Sequence, residues 1–374
     1  MYIDIHILQT VPPSNLNRDD TGSPKTALFG GVRRARVSSQ AWKRATREHF
    51  NKQFNESGLG YRTKRIVDLL NKELEKLGVE DEAVAVKVIE TLGVKVKAPK
   101  VTKKGKDEIE PDSTSPQSDY LLFVSAGQIS NLARIAARAA EEDRTVTKKE
   151  LLAAFNADHS VDIALFGRMV ADDADYNVDA AVQVAHAIGV DRVVPEFDYF
   201  TAVDDLQKED NVAGAAMIGT VEFNSSTLYR YATVNVDQLR VNLGDDDATV
   251  RAVTTFVDSF VRSMPTGKQN TFANRTLPEA VVAVVREDQP VNLVGAFELP
   301  VHRHEERSIV DSAAKELAIF NAEIGSAYGP STAGWVAGTP KATDHLASFG
   351  DVVALSGLVD QVGAAAARAL GGRS

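Results

Sequence analysis

The residues best suited to chemistry lie in the run Ala35-Arg36-Val37-Ser38-Ser39-Gln40-Ala41-Trp42-Lys43-Arg44-Ala45-Thr46-Arg47. Ser38 or Ser39 is a helix N-cap by type, because a short hydroxyl satisfies an orphan N–H of the first turn. On the helix that follows, Gln40, Lys43, Arg44 and Arg47 fall at i, i+3, i+4 and i+7 and make one polar stripe. Trp42, Ala45 and His49 are left to face a core. Hydroxyls, first-turn N–H groups and cations side by side suit the oxygens of a phosphate backbone.

Other arrangements carry less. Thr266-Gly267-Lys268-Gln269 looks like the end of a phosphate loop but lacks the upstream glycine. His302-x-His304, with Glu305 and Glu306, offers metal-ligating types beside Pro300, where a solvated loop accounts for them. Asp19-Asp20 has the chemistry to hold Mg²⁺ for hydrolysis, yet such a pair also anchors turns; the same holds for Asp204-Asp205. No GxSxG or Ser/His/Asp grouping is present. With no cysteine in the chain, thiol chemistry, disulfides and Cys-ligated metals are excluded. The sequence reads as a non-catalytic chain with no cofactor.

The chain has 374 residues, of which 44% are hydrophobic and 25% charged. That balance supports a sizeable core and excludes wholesale disorder, a collagen-like chain and a coiled-coil rod. Met1-Tyr2-Ile3-Asp4-Ile5-His6 lacks the basic and apolar regions of a secretory signal. The most apolar long stretch, Val352 to Ala369, is interrupted by Asp360 and Arg368, so a soluble, cytoplasmic protein without membrane contact is expected. The net charge of −10 argues against a polyanion ligand until its distribution is read. From Arg18 to Arg65, twelve basic residues stand against four acidic ones, a local +8 that leaves −18 for the remainder. A basic segment on an acidic body is the electrostatic footprint of a nucleic-acid site.

The elements that would position these groups follow from periodicity. Ile3, Ile5 and Ile7 alternate with Tyr2, Asp4 and His6, which predicts a half-buried strand over residues 2–9. Turn residues fill the segment from Pro12 to Gly31, and the helix carrying Trp42 and Phe50 comes next. Helices are expected over Arg62 to Leu77 and Tyr120 to Phe155, separated by an exposed, mobile Pro/Ser-rich loop from Ala98 to Asp119. Val161 to Met169 reads as a buried strand, and Val178 to Ile188 as a helix closed by Gly189. Residues 193–220 suit a protruding hairpin. Thr227 to Val236 reads as a strand, Ala248 to Ser263 as a helix behind Asp245-Asp246-Asp247, Ala280 to Val285 as a buried strand, and the chain end from Gly363 as a helix. The order fits an α+β chain built on a β-α-β-β-α-β unit.

Several segments then match a known pattern in order: Asn17-Arg18-Asp19-Asp20, Phe29 to Gln40, Val161 to Met169, Ala185-His186-Ala187-Ile188, Tyr199 to Gln207, Tyr229-Arg230-Tyr231-Ala232 and Gly267-Lys268-Gln269-Asn270-Thr271. Together they resemble the CasC backbone subunits of type I-E CRISPR Cascade complexes. The resemblance implies an RNA-recognition-motif-like (ferredoxin-like) palm at 1–54 and 159–374, a thumb hairpin at about 195–220, and a helical fingers insertion at 55–158. It implies a non-catalytic subunit that polymerises along CRISPR RNA, beside further copies of itself and other Cascade subunits, and presents the spacer to a target DNA strand.

By position, the resemblance assigns Arg18, Lys25, Ser38, Gln40, Lys43 and Arg47 to the RNA backbone. Ser39 and Arg44 adjoin them on the same helix. Met169 corresponds to a residue that packs on bases. Phe200 and Thr201 correspond to the thumb wedge, with Tyr199 where the family can carry tryptophan. Arg134, Arg138, Arg144, Lys148 and Lys149 correspond to a basic surface for duplex DNA. Two other classes stay open: a metal-dependent RNA-cleaving relative using Asp19 or Asp20, and a protein scaffold that binds no RNA.

Overall fold

The computed structural model describes residues 1–50, 59–98, 102–104, 107–109, 115–170, 173–202, 217–303 and 305–371. The chain divides into two compact units, one of residues 1–49, 183–236 and 253–374, the other of residues 50–182 and 237–252. The sequence bounds the insertion at 55 and 158, whereas the second unit runs from residue 50 to 182 and takes in 237–252.

The first unit is built on a large sheet around β1 (Tyr2–Ser14). This strand pairs antiparallel with Met217–Asn235 on one side and with Ala280–Arg286 on the other. Beyond Met217–Asn235 lie Ala187–Gly189, β3 (Val32–Val37) and β2 (Thr26–Phe29), again antiparallel. Helix α1 (Ser39–Phe50) follows β3, and a helix over Asp246–Arg262 precedes Ala280–Arg286. The central four strands and these two helices therefore occur in β-α-β-β-α-β order. Ala333–Gly338 and Asp351–Val352 extend the sheet at the far edge.

Strand β1 is not half-buried. Its Ile3-Ile5-Ile7 face is covered as expected, but Asp4 and His6 on the other face are fully buried too. The cover comes from Leu293, Phe297, Ala313, Leu317 and Phe349, residues that no periodicity in the sequence singles out. Polar groups enclosed this way need partners. Asp4 accepts from the Tyr231 hydroxyl (2.9 Å) and the Val291 N–H (2.8 Å) and faces Arg286 at 3.3 Å. His6 Nδ1 meets the Tyr229 hydroxyl at 2.9 Å.

Several element assignments change. Residues 178–188 form no helix but the short strands Val182–Val184 and Ala187–Gly189. Val182, Val184 and Ile188 suit a pleat, and the pairing of Ile188 with both Arg36 and Tyr229 overrides the weak helical pattern. Gly189 caps nothing; it lets the backbone pass close to Ser226 and Ala35. Conversely, Val161–Phe166 is helical rather than extended, ended by Gly167 at φ 74°. A short apolar run does not distinguish the two states by period.

The second unit is mostly helical. Helices Ile66–Lys76, Glu82–Thr91, Ala126–Glu141 and Lys148–Phe155 bury Leu70, Leu74, Ile89, Leu132, Leu151 and Phe155 in one core. Capping boxes at Ser125/Gln128 and Thr147/Glu150 start two of them. The expected helix from Tyr120 begins instead with the buried strand Leu122–Ser125, which pairs with Gly60–Thr63. Its β-branched and aromatic residues fit a ladder better than a helix start. The expected loop at 98–119 contains the paired strands Thr102–Lys104 and Asp107–Ile109, with residues 99–101, 105–106 and 110–114 outside those described.

Burial holds His6 neutral, lowering its pKa from 6.5 to about 3. Below pH 6.5 the unfolded chain takes up a proton that the native imidazole refuses, so stability falls on acidification by roughly 1.4 kcal/mol per pH unit. Asp4 is shifted upward by burial and acts in the opposite sense. His6→Gln is expected to remove the histidine's share of the slope. Urea unfolding between pH 4.5 and 7 checks this, and an unchanged slope would refute it.

Candidate nucleic-acid interface

Helix α1 is oriented by its apolar side. Trp42 is fully buried and Ala45 buried, while Thr46 Oγ1 reaches Ser263 Oγ (3.2 Å) and His49 Nδ1 reaches Ser259 Oγ (3.0 Å). The opposite stripe therefore faces outward: Gln40 and Arg44 are exposed, Lys43 and Arg47 half-buried. Arg44 holds Glu48 at 2.8 Å in an exposed pair, so part of its charge is already answered. Ser38 is the cap, its Oγ accepting from the Ala41 N–H at 3.3 Å. Ser39 is the first helical residue and half-buried.

The loop before β2 is pinned beside this helix. Asn17 Oδ1 accepts from the Ser38 N–H (2.9 Å), and the Lys25 N–H donates to the Asn17 carbonyl (2.8 Å). Asn15 Nδ2 donates to Gly22 and Glu222 carbonyls. Gly267 sits so close to the Leu16 carbonyl that a Cβ would collide with it, which explains the glycine of the Thr266–Gln269 motif without a phosphate. Arg18 is exposed and Lys25 half-buried at the two ends of the turn.

Asp19 has a structural task. Its Oδ1 accepts from the Thr21 N–H (2.9 Å), the Thr21 hydroxyl (2.7 Å) and the Ser23 N–H (3.0 Å), and these bonds, the Thr21 hydroxyl foremost, hold its pKa below the usual value. Among the described residues no three His, Asp or Glu side chains are grouped to hold a metal ion. His304 and Asp204-Asp205 lie outside the described residues.

Not every cation of the +8 segment faces solvent. Arg34 is fully buried, donating to the carbonyls of Gly189, Val190, Phe297 and Glu298, with its guanidinium 5.6 Å from the Phe29 ring centre. It ties strands together rather than meeting a ligand. Arg62, Lys64 and Arg65 belong to the second unit, and Lys52 lies outside the described residues. Two groups absent from the sequence-based site join instead. Arg36 donates from Nε to the Thr26 carbonyl (3.2 Å), and its Nη1 meets His186 Nδ1 at 3.1 Å. His186 stood within a matching segment, but nothing in its one-letter neighbourhood reveals that strand pairing delivers it to Arg36.

Glu196–Ala202 pairs antiparallel with the start of Met217–Asn235, residues 203–216 lying outside those described. Its register divides Tyr199, Phe200 and Thr201 between two faces. Tyr199 pairs with Thr220 and Phe200 with Gly219, so alternation sends Tyr199 and Thr201 to one face and Phe200 to the other. Phe197, Tyr199 and Ile218 share an open face at 67%, 63% and 60% exposure. Phe200 instead lies over Gly219, where a Cβ would collide with its ring.

In the second unit Met169 is 86% exposed. The preceding Arg168 is locked inside, bonded to the carbonyls of Tyr176 and Phe123 and to Asn156, and stacked 4.2 Å from the Phe155 ring centre. The proposed duplex-DNA cations are largely answered by neighbours: Arg138 pairs with Glu142, Arg144 with Glu142 and Glu150, and Lys148 with Asp173. Arg134 bonds to Asn131, and Lys149 is exposed.

With this geometry in view, a profile of CT1975-like proteins matches residues 3–361. The chain belongs to the CT1975-like protein family. Two solved structures are similar along nearly the whole chain. A chain of a CRISPR RNA-guided surveillance complex, pre-nicking, is 34% identical with a TM-score of 0.80, covering 98% of this chain and 100% of its own. A chain of another CRISPR RNA-guided surveillance complex is 30% identical with a TM-score of 0.63, at the same coverages. Comparison with curated protein sequences finds no match. No helix among the described residues of this CT1975-like chain is long and apolar enough to cross a membrane.

The cover of Phe200 over Gly219 makes a specific demand. Glycine leaves an edge backbone open, and an aromatic laid across it shields the ladder. Phe200→Ala is expected to speed hydrogen exchange of the hairpin amides near Gly219 and Val221 severalfold. Tyr199→Ala, on the open face, leaves those rates within twofold. Equal acceleration by both would show that the rings share one face.

Proposed function

We propose that this chain is a non-catalytic backbone subunit of a type I-E Cascade, of the CasC kind, that binds CRISPR RNA. The observation that carries the reading is the end-to-end similarity, at 34% identity, to a chain of a CRISPR RNA-guided surveillance complex. The site's chemistry agrees with it. A subunit that must hold any spacer grips phosphates and leaves base edges unread. Arg18, Lys25, Ser38, Ser39, Gln40, Lys43, Arg44 and Arg47 supply cations and short polar donors on the loop before β2, the cap and the helix α1.

In this reading the first unit is an RNA-recognition-motif-like palm, the second the fingers, and the hairpin the thumb. In that thumb Phe200 and Thr201 form the wedge and Tyr199 stacks from the open face; Met169 packs on a base. Copies assemble side by side on the RNA with other Cascade subunits in the cytoplasm, and the exposed spacer pairs with target DNA. A net charge of −10 makes neighbouring copies repel, and an RNA bound to the basic segments of two copies at once bridges them and fixes their spacing.

Nuclease-treated protein is therefore expected as monomers or small species by light scattering, and as long assemblies once single-stranded RNA is added. A stable RNA-free filament at physiological salt would sink this. Lys43→Ala and Arg47→Ala should each weaken RNA binding equally for unrelated spacers. With about six phosphate contacts, log affinity falls against log salt with a slope near −4, and each substitution flattens it by about 0.7. Loss that depends on RNA sequence would count against phosphate contact.

A further inference from the structure

The strand pairing places His186 where sequence reasoning had no role for it. Ala187 stands opposite Val37, so His186 sits one step beyond, beside Ser38 and the start of α1. Its ring is exposed, and Nδ1 lies 3.1 Å from Arg36 Nη1. A guanidinium only donates. Nδ1 must then be the acceptor, and the single proton of a neutral imidazole resides on Nε2. That nitrogen has no partner among the described residues. Arg36 is itself anchored by Nε to the Thr26 carbonyl, so ring and guanidinium hold each other in place.

The charges that act on this ring are those of Arg36 and Lys25. Both disfavour a further proton, and desolvation, the largest cause, works in the same direction, so the pKa of His186 lies below 6.5. An imidazole set among cations at a polyanion site would ordinarily be read as one more positive charge. Here its neighbours require the opposite.

Resting on the RNA-binding reading above, we propose that His186 is a further RNA contact, a neutral donor whose Nε2–H is aimed by Arg36 at an RNA oxygen. The shared chemistry is an acceptor oxygen, either of a phosphate or of a 2′-hydroxyl. A neutral donor adds affinity and direction without displacing a counterion, and its strength does not vary across physiological pH. Arg36 acts here as a positioning residue, and Lys25 helps to keep the ring uncharged.

The test uses the full chain, nuclease-treated, with labelled single-stranded RNA and DNA of one arbitrary sequence. His186→Ala is expected to weaken RNA binding about fivefold to tenfold while leaving the salt slope unchanged, because no cation is lost. His186→Gln, which can present an amide N–H, should recover much of that loss. A loss on RNA alone identifies the 2′-hydroxyl, and equal losses on RNA and DNA identify phosphate. ¹⁵N-histidine NMR of the unaltered protein should report the Nε2–H form from pH 6 to 8, independent of any variant's folding. Unchanged affinity in His186→Ala, a slope flattened by about 0.7, or a ring that titrates near pH 6.5 would each overturn the proposal. Failure of the unaltered protein to bind RNA would overturn the RNA-binding reading itself, and is distinguished by preceding any comparison of variants.

Discussion

The guanidinium of Arg230, on the strand beside β1, lies 3.7 Å from the ring centre of Trp42 and 4.6 Å from that of Phe260. It donates to Gln9 Oε1 at 2.6 Å and to the Phe260 carbonyl. Among the described residues no carboxylate offsets it, and complete burial lowers its pKa from 12.5 to about 9. Stacking on two aromatic faces and hydrogen bonds to neutral oxygens must hold the charge instead. This arrangement joins sheet, α1 and the Asp246–Arg262 helix at one point. Once Trp42 is fixed inward, helical periodicity turns Gln40, Lys43, Arg44 and Arg47 outward. The candidate interface is thus a consequence of core packing.

A second constraint is which cations remain available after folding. Arg34 and Arg230 are consumed by the interior, as is Arg168 in the second unit. Arg44, Arg138, Arg144 and Lys148 have carboxylate partners at the surface. Exposed pairs of this kind contribute little to stability, but they lower the local field that an incoming polyanion meets. Lys25, Arg36 and His186 form a group of another sort, in which the Thr26 carbonyl and the His186 ring hold Arg36 and the charge of Lys25 acts on that ring. Charge summed along the sequence does not distinguish cations already paired from those of this cluster.

Much of the fold was legible in local pattern. The alternation of Ile3, Ile5 and Ile7, the stripe on α1, the strand at Ala280–Arg286 and the helix behind Asp245 all follow from period and end chemistry, which depend on neighbours in the chain. The hairpin was visible too, because two aromatics among polar and glycine residues suit a protrusion. What failed was any judgement about the second face of an element. Asp4 and His6 read as solvent-facing, yet residues from Val291 to Phe349 cover them. Short runs such as Val161–Phe166 and Val182–Gly189 changed state because their pairing partners lie far away in sequence.

The sequence by itself therefore determined the class of chain, the basic segment, the helix that carries it and a likeness to CRISPR surveillance-complex subunits. These rest on composition, periodicity and ordered local motifs. Only the tertiary structure decided that Tyr199 and Phe200 lie on opposite faces, that Arg34 is a strut, that Asp19 serves its own turn, and that His186 meets Arg36. Each of these depends on strand register, loop closure or burial. A one-residue change of register inverts a face, and burial converts a ligand-binding cation into a structural one. Such outcomes are fixed by contacts between residues distant in the chain, which residue types and spacing alone do not encode.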